Sequence, residues 1–92
     1  MSNYNPKTEI DVSELLKEKE ENHLVLHNDD FNTFQWVIDS LVVICKHDRE
    51  QAEQCSLIVH HNGKCAVKDG AMEKLKPLKD GLIDRGLSVT IE

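Results

Sequence analysis

Apolar positions along the chain fall into short runs, and the spacing within the runs changes from one stretch to the next. Leu24, Val25 and Leu26 stand together between two histidines and end at the turn-prone Asn28, Asp29 and Asp30, which predicts a first strand. From Phe34 onward Val37, Ile38, Leu41, Ile44 and Cys45 recur at three- and four-residue steps, the signature of one buried helix face running to about Lys46. Asn32 with Gln35 three positions later is a capping-box pattern at its start. The signal repeats at Asp48 and Gln51. Ala52, Cys55, Ile58 and Val59 then supply the inner face of a second helix that Asn62 and Gly63 terminate.

Lys64 to Lys68, small and β-branched, predicts a second strand, after which Met72, Leu75, Leu78 and Leu82 mark one face of a third helix. Pro77 sits inside that pattern, so the helix either begins near Glu73, leaving the proline in its first turn or two, or is kinked. Gly86 closes it, and Leu87, Val89 and Ile91 alternate with Ser88 and Thr90 as a half-buried final strand. The order β-α-α-β-α-β predicts an α+β fold, a three-stranded antiparallel sheet packed on three helices. Residues 1 to 21 hold little apolar material beyond Ile10, Val12, Leu15 and Leu16, and predict a flexible N-terminal arm before a domain spanning 22 to 92. A helix from Ser13 that shows Ile10, Leu15 and Leu16 to a partner is the alternative to a solvated tail.

Ninety-two residues leave room for one hydrophobic core. A formal charge of −6 argues against nucleic acid, whose phosphates require clustered Lys and Arg, and favours cationic ligands. No apolar run approaches the roughly 20 residues that cross a bilayer, and the first 21 residues lack a secretory h-region, so a cytoplasmic monomer without membrane contact is expected. Cys45, Cys55 and Cys65 form neither a CxxC pair nor an even set, which fits reduced thiols, with Cys45 and Cys55 as small buried hydrophobes.

The informative constellation is Asn28, Asp29 and Asp30 after the first strand together with His60 near the end of the second helix. Carboxylate, amide oxygen and neutral imidazole nitrogen are acceptors, and an α-ammonium group presents three donors and a positive charge, so this set is suited to a free chain terminus. Other readings are weaker. A metal site from His60, His61, Cys65 and His47 lacks an i+4 ligand pair, and Ser56 one turn before His60 has no nucleophile elbow, so neither a metal, a cofactor nor an enzyme is expected.

The stretch LVLHNDDFNTFQWVIDSLVV and the stretch DREQAEQCSLIVHHNGK resemble the strand, NDD turn and two helices of the ClpS adaptors of ATP-dependent Clp proteases. The resemblance covers roughly residues 23 to 91. It implies that Asn28, Asp30 and His60 bind the α-amino group of a client, that Asp29 supports them, and that Asn32, Phe34, Val37, Ser56, Val59 and Leu87 line a side-chain pocket. It further implies clients with Leu, Phe, Tyr or Trp as first residue, carried to an unfoldase of the ClpA or ClpC type. Glu73 matches a family residue that docks the unfoldase, whereas Leu78 replaces the lysine expected a turn later. Asn32, Thr33 and Phe34 stand where most relatives carry Thr-Pro-Met, and Ser56 replaces the second pocket methionine, so the floor loses a flexible apolar side chain and the rim gains a rigid aromatic one. A protein-protein scaffold without a terminal-residue pocket is the alternative function.

Overall fold

The computed structural model describes residues 21–92; the remainder of the expected N-terminal arm, with Ile10, Leu15 and Leu16, lies outside the described residues. The elements run β1 (Asn22–His27), α1 (Phe34–Cys45), α2 (Arg49–Asn62), β2 (Lys64–Gly70), α3 (Met72–Asp84) and β3 (Ser88–Ile91). Both outer strands pair antiparallel with β1, in the order β2-β1-β3. This is the α+β arrangement that the periodicities predict. No helix of the described residues is long and apolar enough to cross a membrane.

Alternation along the strands sends Leu24 and Leu26 of β1, Val67 of β2 and Val89 of β3 into one core. The helices meet them with Ile38, Leu41 and Cys45 of α1, Ala52, Cys55 and Val59 of α2, and Leu75 and Leu82 of α3. Ile58, expected on the inner face of α2, is 40% exposed instead, because Cys55 and Val59 already fill that stripe. Gly81 allows α3 to lie directly on α1: a Cβ there would come within 3.1 Å of Ile44 Cδ1.

Element ends depart from the expected ones in two places. Thr33, not Asn32, caps α1, its hydroxyl accepting from the Trp36 N–H at 3.1 Å, while the Asn32 side chain is engaged elsewhere. The second strand continues to Gly70, because β1 extends back to Asn22 and pairs with it throughout. The third helix starts at Met72, next to the expected Glu73, and carries Pro77 in its second turn, where the missing N–H removes the i→i−4 bond to the Glu73 carbonyl. Asp48 caps α2 as expected, its carboxylate accepting from the Gln51 N–H at 2.7 Å.

One irregularity joins the sheet to the helical hairpin. Pairing passes from Leu24 opposite Lys68 to Val25 opposite Ala66, so Val67 is an extra, bulged residue. Its carbonyl is met by buried His47 from the α1–α2 connection, at 2.7 Å from Nε2. A carbonyl only accepts, so Nε2 carries the proton and Nδ1 is left buried without a partner among the described residues. Lys68, next along β2, donates from Nζ to the Cys45 carbonyl at the end of α1, at 3.0 Å. The connection is thus pinned at two adjacent points of one strand. His47→Ala strips the Val67 carbonyl of its buried donor and is expected to lower stability by about 1 to 3 kcal/mol in urea unfolding, with the element order unchanged in the folded fraction.

Candidate ligand-binding site

The site begins where β1 runs out. Asn28 continues the strand for one more bond, its N–H donating to the Gly63 carbonyl at 2.9 Å, and Asp29 then reverses the chain. Asp29 Oδ1 accepts from the N–H groups of Phe31 and Asn32, and Oδ2 accepts from the Asn32 side-chain amide, each at 2.8 Å. The same amide donates to the Gly86 carbonyl at 2.9 Å, tying the turn to the connection between α3 and β3. Partial burial alone would raise the Asp29 carboxyl, but the donors from Asn32 and Phe31 outweigh it and hold the group below its ordinary value of 3.8.

The opposite wall is the last turn of α2. Gly63 ends this helix in the left-handed region (φ +92°), donating to the Val59 carbonyl at 2.9 Å. Since its own carbonyl receives the Asn28 N–H, His60 is brought beside the strand exit. Exposed His60 and His61 meet edge to face, 5.2 Å between ring centroids. Between the walls lies a pocket of about 380 Å³ lined by Leu26, His27, Asn28, Asp29, Asp30, Asn32, Phe34, Val37, Ser56, Val59 and His60.

Its chemistry is divided. The rim carries two carboxylates and no Lys or Arg, and the carboxyl end of α2, with its partial negative charge, faces the same space. Among the described residues no group hydrogen-bonds the Asp30 carboxylate, which is exposed and available. The floor consists of Leu26 and Val59, both buried, half-buried Val37, and buried Ser56, whose hydroxyl donates to the Ala52 carbonyl at 2.8 Å. Phe34, 44% exposed, stands at the mouth.

Asn28, Asp29, Asp30, Asn32, Phe34, Val37, Ser56, Val59 and His60 therefore line one concavity. Leu87 does not join them. It lies in the core, 4% exposed, because its N–H bonds the Leu82 carbonyl and turns the side chain under α3. Glu73 is exposed in the first turn of α3 and is not part of the pocket. Leu26 and His27 line the pocket and were not singled out from the sequence; their place at the carboxyl end of the first strand was the available signal.

Among the described residues no three His, Cys, Asp or Glu side chains are grouped to hold a metal ion. Burial pushes the Cys45 thiol up to about 11, and burial, reinforced by neighbouring Cys65, pushes Cys55 up to about 12, so both stay protonated as apolar packing groups near neutral pH.

Residues 17–90 match the family model described as ATP-dependent Clp protease adaptor protein ClpS. The ClpS adapter of Campylobacter jejuni is 34% identical over 79 residues, covering 82% of each chain. That alignment carries the family assignment. The chain belongs to the ClpS family. The ClpS adapter of Cronobacter sakazakii is 39% identical over 61 residues, covering 64% of this chain and 58% of its own. Among solved structures, Agrobacterium tumefaciens ClpS2 bound to L-phenylalaninamide superposes with a TM-score of 0.68 at 14% identity, covering 83% of this chain and 96% of that one, which shows the shared fold.

As a ClpS adaptor, the chain assigns different work to adjacent aspartates. Asp29 holds the turn, whereas Asp30 faces outward with its oxygens free of described partners. Asp29→Ala is expected to destabilise by about 1 kcal/mol at neutral pH, the size of a lost side-chain cap. Because the folded carboxyl titrates below 3.8, its contribution is complete above that pH and is lost as pH falls through the depressed folded value. Urea midpoints of the variant and parent should therefore differ at pH 7 and converge in strong acid.

Proposed function

We propose that this ClpS adaptor binds the free α-amino group and large hydrophobic first residue of client proteins and carries them to a Clp unfoldase of the ClpA or ClpC type. The observation that carries this reading is the convergence of Asn28, Asp30 and His60 on the rim of a pocket whose floor is apolar. An α-ammonium has three N–H donors, and amide oxygen, carboxylate and neutral imidazole offer one acceptor each. Its reference pKa of about 7.7 to 8.0 keeps it largely charged near neutral pH, and the acidic rim and the end of α2 favour that charge. The ligand named with the Agrobacterium tumefaciens ClpS2 structure, L-phenylalaninamide, is of the same kind: a free amine next to a large apolar side chain.

Magnitudes show why both halves of the pocket are needed. Burying a Phe or Leu side chain removes roughly 150 to 200 Å² of apolar surface, about 4 to 5 kcal/mol at about 25 cal/mol per Å². Charge-assisted hydrogen bonds contribute roughly 1.5 to 3 kcal/mol each before the cost of association is subtracted. The sum corresponds to dissociation constants on the order of micromolar, tight enough to capture a client and loose enough to release it. The 22–92 domain holds this pocket, and exposed Glu73 at the start of α3 is a candidate contact to the unfoldase on a different surface.

Three outcomes are expected from fluorescence anisotropy with peptides differing only at the first position. Acetylation of the terminal amine weakens binding at least tenfold, and affinity falls as pH rises beyond about 8, where the amine loses its proton. Asp30→Ala costs more affinity than Asp29→Ala when both are compared at temperatures where each variant is fully folded. A peptide panel bound without regard to its first residue or its acetylation would instead favour a scaffold role.

A further inference from the structure

Ser56 introduces a polar atom into the floor of an otherwise apolar pocket. Its side chain is 2% exposed, and its hydroxyl proton is used, donated to the Ala52 carbonyl one turn back at 2.8 Å. A hydroxyl has two acceptor lone pairs besides that donor, and among the described residues no donor reaches them. The serine therefore needs no ligand to be satisfied, yet it keeps acceptor capacity at the surface of the hollow.

Its position suits one part of a ligand. Ser56 and His60 are four residues apart on α2 and both line the pocket, so they stand on one helix face about 6 Å apart along the axis. Val59 lies on the same face between them. An amine held at His60 with its side chain running back along α2 meets Ser56 one turn deeper. An aromatic side chain spans that step, and an isobutyl group falls short of it. Serine is also small, which leaves the deep end open to a ring with a polar edge.

Resting on the terminal-residue reading above, we propose that Ser56 is a specificity-determining residue that accepts a hydrogen bond from the phenol O–H of tyrosine or the indole N–H of tryptophan at the first position of a client. The pocket thereby ranks hydrogen-bond-donating aromatic residues above phenylalanine and leucine. In a wholly apolar floor the phenol would lose its water contacts without replacement, and tyrosine would bind more weakly than phenylalanine. An acceptor at the ring's edge reverses that order. Because the serine is already partnered in the empty pocket, the preference is moderate and does not become an outright rejection of phenylalanine.

The test uses the full chain and four peptides that differ only in a first residue of Tyr, Trp, Phe or Leu, each free and acetylated, with dissociation constants measured for the parent and for Ser56→Ala. The parent is expected to bind Tyr and Trp roughly three- to tenfold more tightly than Phe. Ser56→Ala, which replaces a serine by the strongest helix former, should abolish that ratio by weakening Tyr and Trp binding more than Phe and Leu binding. Equal Tyr and Phe affinities in the parent, or a loss in Ser56→Ala shared equally by all four peptides, overturns the proposal and leaves the terminal-residue reading in place. If acetylated and free peptides bind alike, the terminal-residue reading fails, and the proposal with it.

Discussion

One backbone hydrogen bond, from the Asn28 N–H to the Gly63 carbonyl, decides where the site can form. It adds one rung beyond the pairing of His27 with Lys64 and so brings the exit of β1 against the end of α2. Asn28 and Asp30 on one side and His60 on the other are far apart in the chain, and they share a pocket because this rung closes. The rung in turn requires the chain to leave α2 in a left-handed conformation at position 63, which costs an ordinary residue roughly 1 to 2 kcal/mol and a glycine very little. The open space around Gly63 shows that its conformation, not crowding, is the constraint.

The remaining supports lie at the other wall. Asp29 fixes the turn, Asn32 bridges it to Gly86, and Trp36 donates from its indole N–H to the Arg85 carbonyl at 2.8 Å. The Arg85 guanidinium lies 4.0 Å from the Trp36 ring centroid and donates to Ser40, which itself donates to the Trp36 carbonyl. The start of α1, which carries Phe34 and Val37 into the pocket, is therefore held from the α3–β3 connection. Asp29 carries the hydrogen bonds of its turn and Gly63 the closing bond of α2, so that among the described residues the side chains of Asp30 and His60 have no hydrogen-bond partner.

Much of this was legible in the sequence because it depends on local periodicity. The run Leu24 to Leu26, the stripes of three helices and the alternation after Gly86 specify the element order directly, and Asp48 is a cap with no competing neighbour. The cap of α1 was less accessible. Asn32 and Thr33 are both good capping residues, and the choice between them is made by the Gly86 carbonyl 54 residues away. The same holds for Leu87, whose assignment to the core depends on its bond to Leu82, and for the bulge at Val67, which depends on His47 filling the space behind it. The pocket residues were mostly identified through resemblance to a family pattern, since an apolar stripe does not reveal by itself which of its members face a core and which a cavity. Position-by-position departures from that pattern, Phe34 and Ser56 above all, then acquire meaning from the geometry.

Trp36 is the single tryptophan of the chain, and its indole is fastened between Arg85 and the first turn of α1 without lining the pocket. Its emission reports the clasp between the α1 start and the α3–β3 connection. An intrinsic optical probe of tertiary integrity is thus built in and lies outside the pocket lining. A change in that emission therefore reports loosening of this clasp and not a change at the residues that line the pocket.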